Sequence, residues 1–209
     1  MTAKILAASD PAAIKHAADV LRAGGIVAYP TDTVYGLGAN VFSPEALDKV
    51  MDAKQRPDEK SLPVLIGVRG HLRELVVAVP PSAEALIDAF WPGALTIVLL
   101  KQEGLSPLLG ETTLAVRQPN HTAIQALLAA AGFPITGTSA NLSGRPPATT
   151  AEEAAQQLGG AVDLILDGGP APGSTPSTVI DCTVQPARIL REGAVTRSAL
   201  AAVLGDLAP

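Results

Sequence analysis

Residues 29–57, YPTDTVYGLGANVFSPEALDKVMDAKQRP, carry the reading from which the rest of the chain follows. The apolar run GIVAY at residues 25–29 leads into it, and it is short and β-branched, a strand rather than a helix. Pro30 ends that strand because it has no amide hydrogen to give to a ladder. A loop is expected next, with hydroxyls at Thr31, Thr33 and Tyr35 and small residues at Gly36 and Gly38. Ser43-Pro44-Glu45 then reads as the N-cap, first-turn proline and first-turn acid of a helix. That helix ends on Lys54-Gln55-Arg56-Pro57, two cations separated by one residue before a proline stop. A strand mouth, a hydroxyl-rich glycine loop and a cationic helix end make a place for a small anionic ligand. Each part also has an ordinary use, since glycines and threonines are common turn chemistry and the helix dipole favours C-terminal cations.

Outward from this stretch, residues 11–23 have helical periodicity (Ile14, Ala18, Leu21) and stop at Gly24-Gly25. Residues 62–66 read as a buried strand, and 69–77 and 82–90 as helices, the second capped by Ser82. Trp91-Pro92-Gly93 turns into a strand over 94–100, with Trp91 as a packing anchor. Residues 113–116 form a strand that delivers Arg117, and Asn120 caps a helix that Gly132 closes. A strand over 133–137 leads into TSANLSG at 138–144, and Thr150 with Glu153 makes a capping box. Strands follow over 163–166, 178–182 and 188–191, and Thr196 caps a last helix to Leu204. Strands and helices alternate without a clean βαβ order. The expectation is therefore one α/β domain over residues 1–209, with an open, twisted sheet of mixed parallel and antiparallel strands flanked by helices. No internal repeat and no G-x-x-x-x-G-K-[ST] phosphate loop is present.

With 47% hydrophobic and 17% charged residues, the chain can bury a substantial core and is not disordered. Aromatics are 3%, so Ala, Val, Leu and Ile must build that core. A net charge of −5 excludes a global basic field for nucleic acid. It leaves room for a local basic cleft from Lys54, Arg56, Lys60, Arg117 and Arg191. The single cysteine, Cys182, cannot form an intramolecular disulfide and fits a reducing, cytoplasmic compartment. It reads as a small buried hydrophobe rather than a nucleophile. The N-terminal apolar run is too short for a signal peptide, and Pro80, Pro81, Glu84, Asp88 and Pro92 break the most apolar region, so no membrane span is expected. His16, His71 and His121 show no metal-ligand spacing.

Polar groups recur at strand ends: Thr33, Arg56, Arg117, Ser139, Asn141, Ser177 and Arg191. Singly they are turn residues or solvated cations; at the mouths of strands, arginines with hydroxyls between them suit phosphate and carboxylate recognition. PTDTVYGLGAN (30–40), KQRP (54–57), the arginine of AVRQP (115–119), TSANLSG (138–144), PSTVID (176–181) and ILREG (189–193) occur in the order seen in the YrdC family. The chain resembles that family over about residues 12–193, and it looks like the short form without an added C-terminal domain.

The resemblance implies an open, twisted α/β sheet with a large positive cavity. It also implies a reaction in which L-threonine, bicarbonate and ATP, with Mg2+, give threonylcarbamoyl-adenylate and pyrophosphate. A separate tRNA threonylcarbamoyl transferase complex then modifies the adenosine beside the anticodon of tRNAs reading ANN codons, and a weak direct contact with tRNA is a further expectation. By the same resemblance, the K-x-R signature falls on Lys54 and Arg56 and the S-x-N signature on Ser139 and Asn141, as catalytic residues. Threonine would lie near Thr33, Leu65, Arg117, Gly137 and Ser177. ATP would lie near Arg56, Lys60, Thr113, Ser139, Pro147 and Arg191, with no protein metal ligands assigned. Leu65 stands where some relatives have a histidine, and Pro147 where some have a serine. The rival readings are a non-catalytic nucleotide- or RNA-binding paralogue, a paralogue with another substrate, and the related domain of hydrogenase-maturing carbamoyltransferases. The last carries zinc fingers with many cysteines, whereas this chain has one cysteine.

Overall fold

The computed structural model describes residues 3–55, 61–172 and 175–208. The first part of the chain forms β1 (Lys4–Ala7), α1 (Pro11–Arg22), β2 (Val27–Tyr29), β3 (Gly36–Gly38), α2 (Pro44–Lys54) and β4 (Val64–Leu65). Next come α3 (Leu72–Leu75), α4 (Pro81–Phe90), β5 (Leu95–Leu100), β6 (Thr113–Arg117), α5 (Thr122–Ala131), β7 (Ile135–Thr136) and β8 (Thr138–Ser139). The last part forms α6 (Ala151–Leu158), β9 (Leu164–Asp167), β10 (Thr178–Asp181), β11 (Arg188–Arg191) and α7 (Arg197–Leu204).

The expected mixed α/β architecture is present, but the strands form two sheets rather than the single one expected, of order β1-β9-β2-β3-β8 and β11-β10-β5-β6-β4-β7. Both are mixed: β9 runs parallel to β1 and β2, while β3 is antiparallel to β2 and β8. In the second sheet, β10–β5 and β4–β6 are parallel and the other pairs antiparallel. The sheets meet where the Thr136 amide donates to Ala39 O at 2.9 Å and the Ala39 amide donates to Thr136 Oγ1 at 3.0 Å. The chain crosses from one sheet to the other at Gly137, between β7 and β8. A Cβ there would sit 2.6 Å from Leu65 Cγ, so the crossing requires glycine.

Alternation along the second sheet separates two faces. Val64, Ile97, Val116 and Ile180 point into the main core, while Leu65, Thr96, Arg117 and Val179 point the other way, into a cavity. A smaller core lies under the packed pair α1 and α5, filled by Leu21, Val27, Tyr29, Ile124, Leu127 and Leu164.

The helix starts follow their caps. Ser43 Oγ accepts from the Ala46 amide, Thr150 Oγ1 from Glu153 and Thr196 Oγ1 from Ala199. The Glu153 carboxylate reaches back to Thr149, accepting from its amide at 2.7 Å and its hydroxyl at 2.9 Å. These bonds hold its carboxyl below the usual carboxylate range. Trp91 is the expected anchor, buried with Nε1 donating to Leu95 O.

Other expectations are corrected. The helix starting at Pro81 has Pro80, not Ser82, at its N-cap and no side-chain cap bond. His121, not Asn120, caps α5, its Nδ1 accepting from the Ala123 amide. Residues 69–77 divide into a single 3-10 turn and the short α3. Most informative is β3, where a loop was expected. Its glycines are there because Tyr29 lies across them: a Cβ at Gly36 or Gly38 would come within 2.5 or 2.6 Å of the ring. The Tyr29 hydroxyl donates to Thr136 O, and burial holds its pKa far above the usual range.

Candidate functional site

The site is a row of side chains across one face of the second sheet. Backbone register places Arg191 of β11 opposite Val179 of β10, and Val179 opposite Thr96 of β5. Further along, Leu65 of β4 lies opposite Arg117 of β6. These residues, with Ala115, Pro63, Ser61 and Gly137, form one wall of a cavity of about 360 Å3. Thr33 and Val34 from the β2–β3 connection, Thr138 and Ser139 of β8, Pro147, Pro176 and Ser177 complete it.

Arg117 is buried at one end and held on three sides. Its Nε donates to Gly93 O at 2.8 Å, its Nη1 to Thr33 Oγ1 at 3.0 Å and its Nη2 to Asp32 Oδ1 at 2.6 Å. The Trp91-Pro92-Gly93 turn thus presents a carbonyl to the guanidinium. Thr33 is fixed in turn by Thr31, whose hydroxyl lies 3.0 Å from it and donates to Val34 O. Burial pushes the Arg117 pKa down and the Asp32 carboxylate pushes it back up, so the ion pair keeps the buried cation charged.

At the other end Arg191 donates through Nε and Nη2 to Ser177 O, and Nη2 lies 3.3 Å from Ser177 Oγ. Its pKa is also lowered, by burial first and then by the charge of Arg117, so the two cations feel each other across the cavity. The Ser177 and Thr96 hydroxyls, both buried, lie 2.8 Å apart between them.

Lys54 and Asn141 lie behind the wall rather than in it. Lys54 is 1% exposed, and its ammonium donates to Ser139 O and, at 2.7 Å, to Asn141 O. These bonds tie α2 to the S-x-N loop. The Asn141 side-chain amide donates to Leu142 O and Arg145 O, while its Oδ1 and the Ser143 hydroxyl are buried without a partner among the described residues.

The structure therefore brings Thr33, Leu65, Arg117, Gly137, Ser139, Pro147, Ser177 and Arg191 to one cavity. Thr113 starts β6 on the same face as Ala115 and Arg117 but outside the cavity lining. Arg56 and Lys60 lie outside the described residues. Thr96 and Asp32 were missed. A signal for Thr96 existed, since it is the one polar residue in LTIVLL. Among the described residues no three of His, Cys, Asp and Glu are grouped to hold a metal ion, and no helix is long and apolar enough to cross a membrane.

A family model for Sua5, YciO and YrdC, described as telomere recombination, matches residues 19–193. The threonylcarbamoyl-AMP synthase of Bacillus subtilis is 42% identical over 205 residues, covering 97% of this chain and 59% of that protein. The threonylcarbamoyl-AMP synthase of Vibrio parahaemolyticus is 36% identical, covering 84% of this chain and 96% of its own length. The crystal structure of Pyrococcus abyssi Sua5 complexed with L-threonine superposes with a TM-score of 0.92 at 36% identity, covering all of this chain and 62% of that one. The chain thus spans about three fifths of the longer relatives it matches.

Proposed function

The chain belongs to the Sua5/YciO/YrdC family, and on that premise we propose that it makes threonylcarbamoyl-AMP and pyrophosphate from L-threonine, bicarbonate and ATP. The observation that carries this reading is the row itself: two arginines at opposite ends of one cavity, with hydroxyls and a small apolar wall between them. A cavity of about 360 Å3 suits an amino acid together with part of a nucleotide.

In this reading Arg117 grips the threonine carboxylate, using N–H groups not taken by Gly93, Thr33 and Asp32. Leu65 gives the β-methyl an apolar contact, and Thr33 and Ser177 offer hydroxyls to the polar side of the substrate. The threonine ammonium first loses a proton to solvent, and the free amine attacks the carbon of bicarbonate, forming a C–N bond as the elements of water leave. A carbamate oxygen then attacks the α-phosphorus of ATP, and the α–β P–O bond breaks to release pyrophosphate. Arg191, with Arg56 and Lys60 by family resemblance, offsets the charge that grows on the leaving phosphates. No protein nucleophile takes part, and catalysis is by positioning and electrostatics. Cys182 is buried and its thiol is pushed up to about 11, chiefly by burial, which leaves it protonated at neutral pH. The described residues form no acidic cage for a divalent cation, so no step is assigned to a protein-held metal. Magnesium enters the proposal on the phosphate oxygens of ATP, whose charge it would offset. The product would pass, in the cytoplasm, to a tRNA threonylcarbamoyl transferase complex.

The test is pyrophosphate release from ATP and bicarbonate, with and without L-threonine and with serine as control. Threonine-dependent release is expected. ATP binding without release would overturn the synthase reading in favour of a nucleotide-binding role, and a tRNA mobility shift in the absence of ATP would favour an RNA-binding one.

A further inference from the structure

Among the described residues the charges around the cavity do not balance, and the imbalance is placed. Arg117 and Arg191 both line it, yet among the described residues only Arg117 has an ion-pair partner. That partner, Asp32, comes from the β2–β3 connection, immediately before Thr33, which does line the cavity. The pair is secluded, with side-chain exposures of 8% for Arg117 and 15% for Asp32. Only one carboxylate oxygen, Oδ1, is engaged; Oδ2 has no hydrogen-bond partner among the described residues. Among the described residues three other titratable groups feel the pair: Tyr29 is buried and protonated, burial lowers the pKa of His121 despite Asp32, and Arg191 adds positive charge from the far end of the cavity.

Two arginines without a nearby anion would draw any small anion, including bicarbonate or a phosphate group, to either end. Asp32 cancels that attraction at the Arg117 end only. A bare carboxylate then gains little there, because its attraction to the guanidinium is offset by repulsion from Asp32. A ligand that carries an ammonium beside its carboxylate is drawn to both charges of the pair, Asp32 acting from beside Thr33 rather than from the cavity lining itself. The Arg191 end keeps its uncompensated positive charge for phosphate.

We propose that Asp32 is a selectivity residue whose carboxylate makes the Arg117 end of the cavity take a zwitterionic α-amino acid in preference to a simple carboxylate. The proposal rests on the threonine-binding reading above and deepens it. It gives Asp32 no bond-making role.

The experiment compares L-threonine with 3-hydroxybutanoate, which is threonine without its ammonium group, by calorimetric titration of the full chain in the presence of ATP. Wild type is expected to bind threonine at least about tenfold more tightly. In Asp32→Asn, which keeps the size and a hydrogen-bond acceptor for Arg117, that preference is expected to shrink by about tenfold, a modest effect for a unit charge a few ångströms away in a partly buried site. Binding of 3-hydroxybutanoate should itself tighten. Equal weakening of both ligands would overturn the proposal, because Asp32 would then only hold Arg117 in place. Equal binding of both ligands by wild type would overturn it without any variant, so the test does not depend on the variant folding. If wild type binds no threonine at all, it is the functional reading that fails first.

Discussion

Arg117 and Arg191 stand on one face of one sheet with two strands between them, and their circumstances are opposite. Arg117 is buried, bound through all three of its nitrogens, and paired with Asp32. Arg191 is partly exposed, rests on Ser177 alone, and has no ion pair among the described residues. The same side chain therefore does different work. At Arg117 the protein has already met the cost of burying a charge, and the guanidinium is fixed in direction, as recognition of a small rigid group requires. At Arg191 the charge is left over, which suits a polyanion that brings many acceptors and needs little orientation.

The largest effect should come from breaking the ordered end. Arg117→Ala removes the guanidinium and strands Asp32, so threonine-dependent pyrophosphate release is expected to fall by more than about 100-fold. Urea unfolding should show a loss of about 3 kcal/mol, the scale of breaking a buried pair from one side. Intact stability would show that the pair is not the fixed element described here. Arg191→Ala should act differently, raising KM for ATP about tenfold with KM for threonine nearly unchanged, and costing about 1 kcal/mol for the lost bonds to Ser177. If KM for threonine rises instead, the two ends are not distinct. Thr96→Val keeps the shape but removes the hydroxyl that meets Ser177 between the ends. Steady-state kinetics are expected to show a several-fold change in kcat/KM for threonine, on the order of one hydrogen bond. Cys182→Ser should do least, within about twofold of wild-type rate, because the residue belongs to the main core on the other side of the sheet. A large loss with an intact circular dichroism spectrum would reopen the question of a protein nucleophile.

Much of this layout is legible in the residues, and the failures have physical causes. Ser43, Thr150 and Thr196 mark helix starts because a capping hydroxyl acts within three residues of its own position. Gly36-Leu37-Gly38 reads as a loop because glycine is poor in strands, and only the Tyr29 ring lying over it explains why glycine is required there. β1 is equally hard to see, being four residues of half-exposed edge that depend on parallel pairing with β9 across the length of the chain. In the site, Arg117, Arg191, Thr33 and Ser177 announce themselves as polar groups at strand ends within recognisable motifs. Lys54 announces itself too, but its direction does not: its ammonium turns inward to Ser139 O and Asn141 O. Asp32 sits inside the most conspicuous motif, yet its role depends on an arginine 85 residues away.

By itself, then, the order of residues determined where several helices begin, which short apolar runs are strands, and which side chains were candidates for a ligand. Those are consequences of local hydrogen bonding and of short β-branched apolar runs, both readable from near neighbours. Tertiary structure alone decided that Arg191, Val179, Thr96, Arg117 and Leu65 form one row, that Asp32 neutralises one end of it, and that Lys54 braces the wall from behind. Those facts depend on strand order and register between segments far apart in the chain, where no local preference acts and only the packing of the two sheets sets the distances.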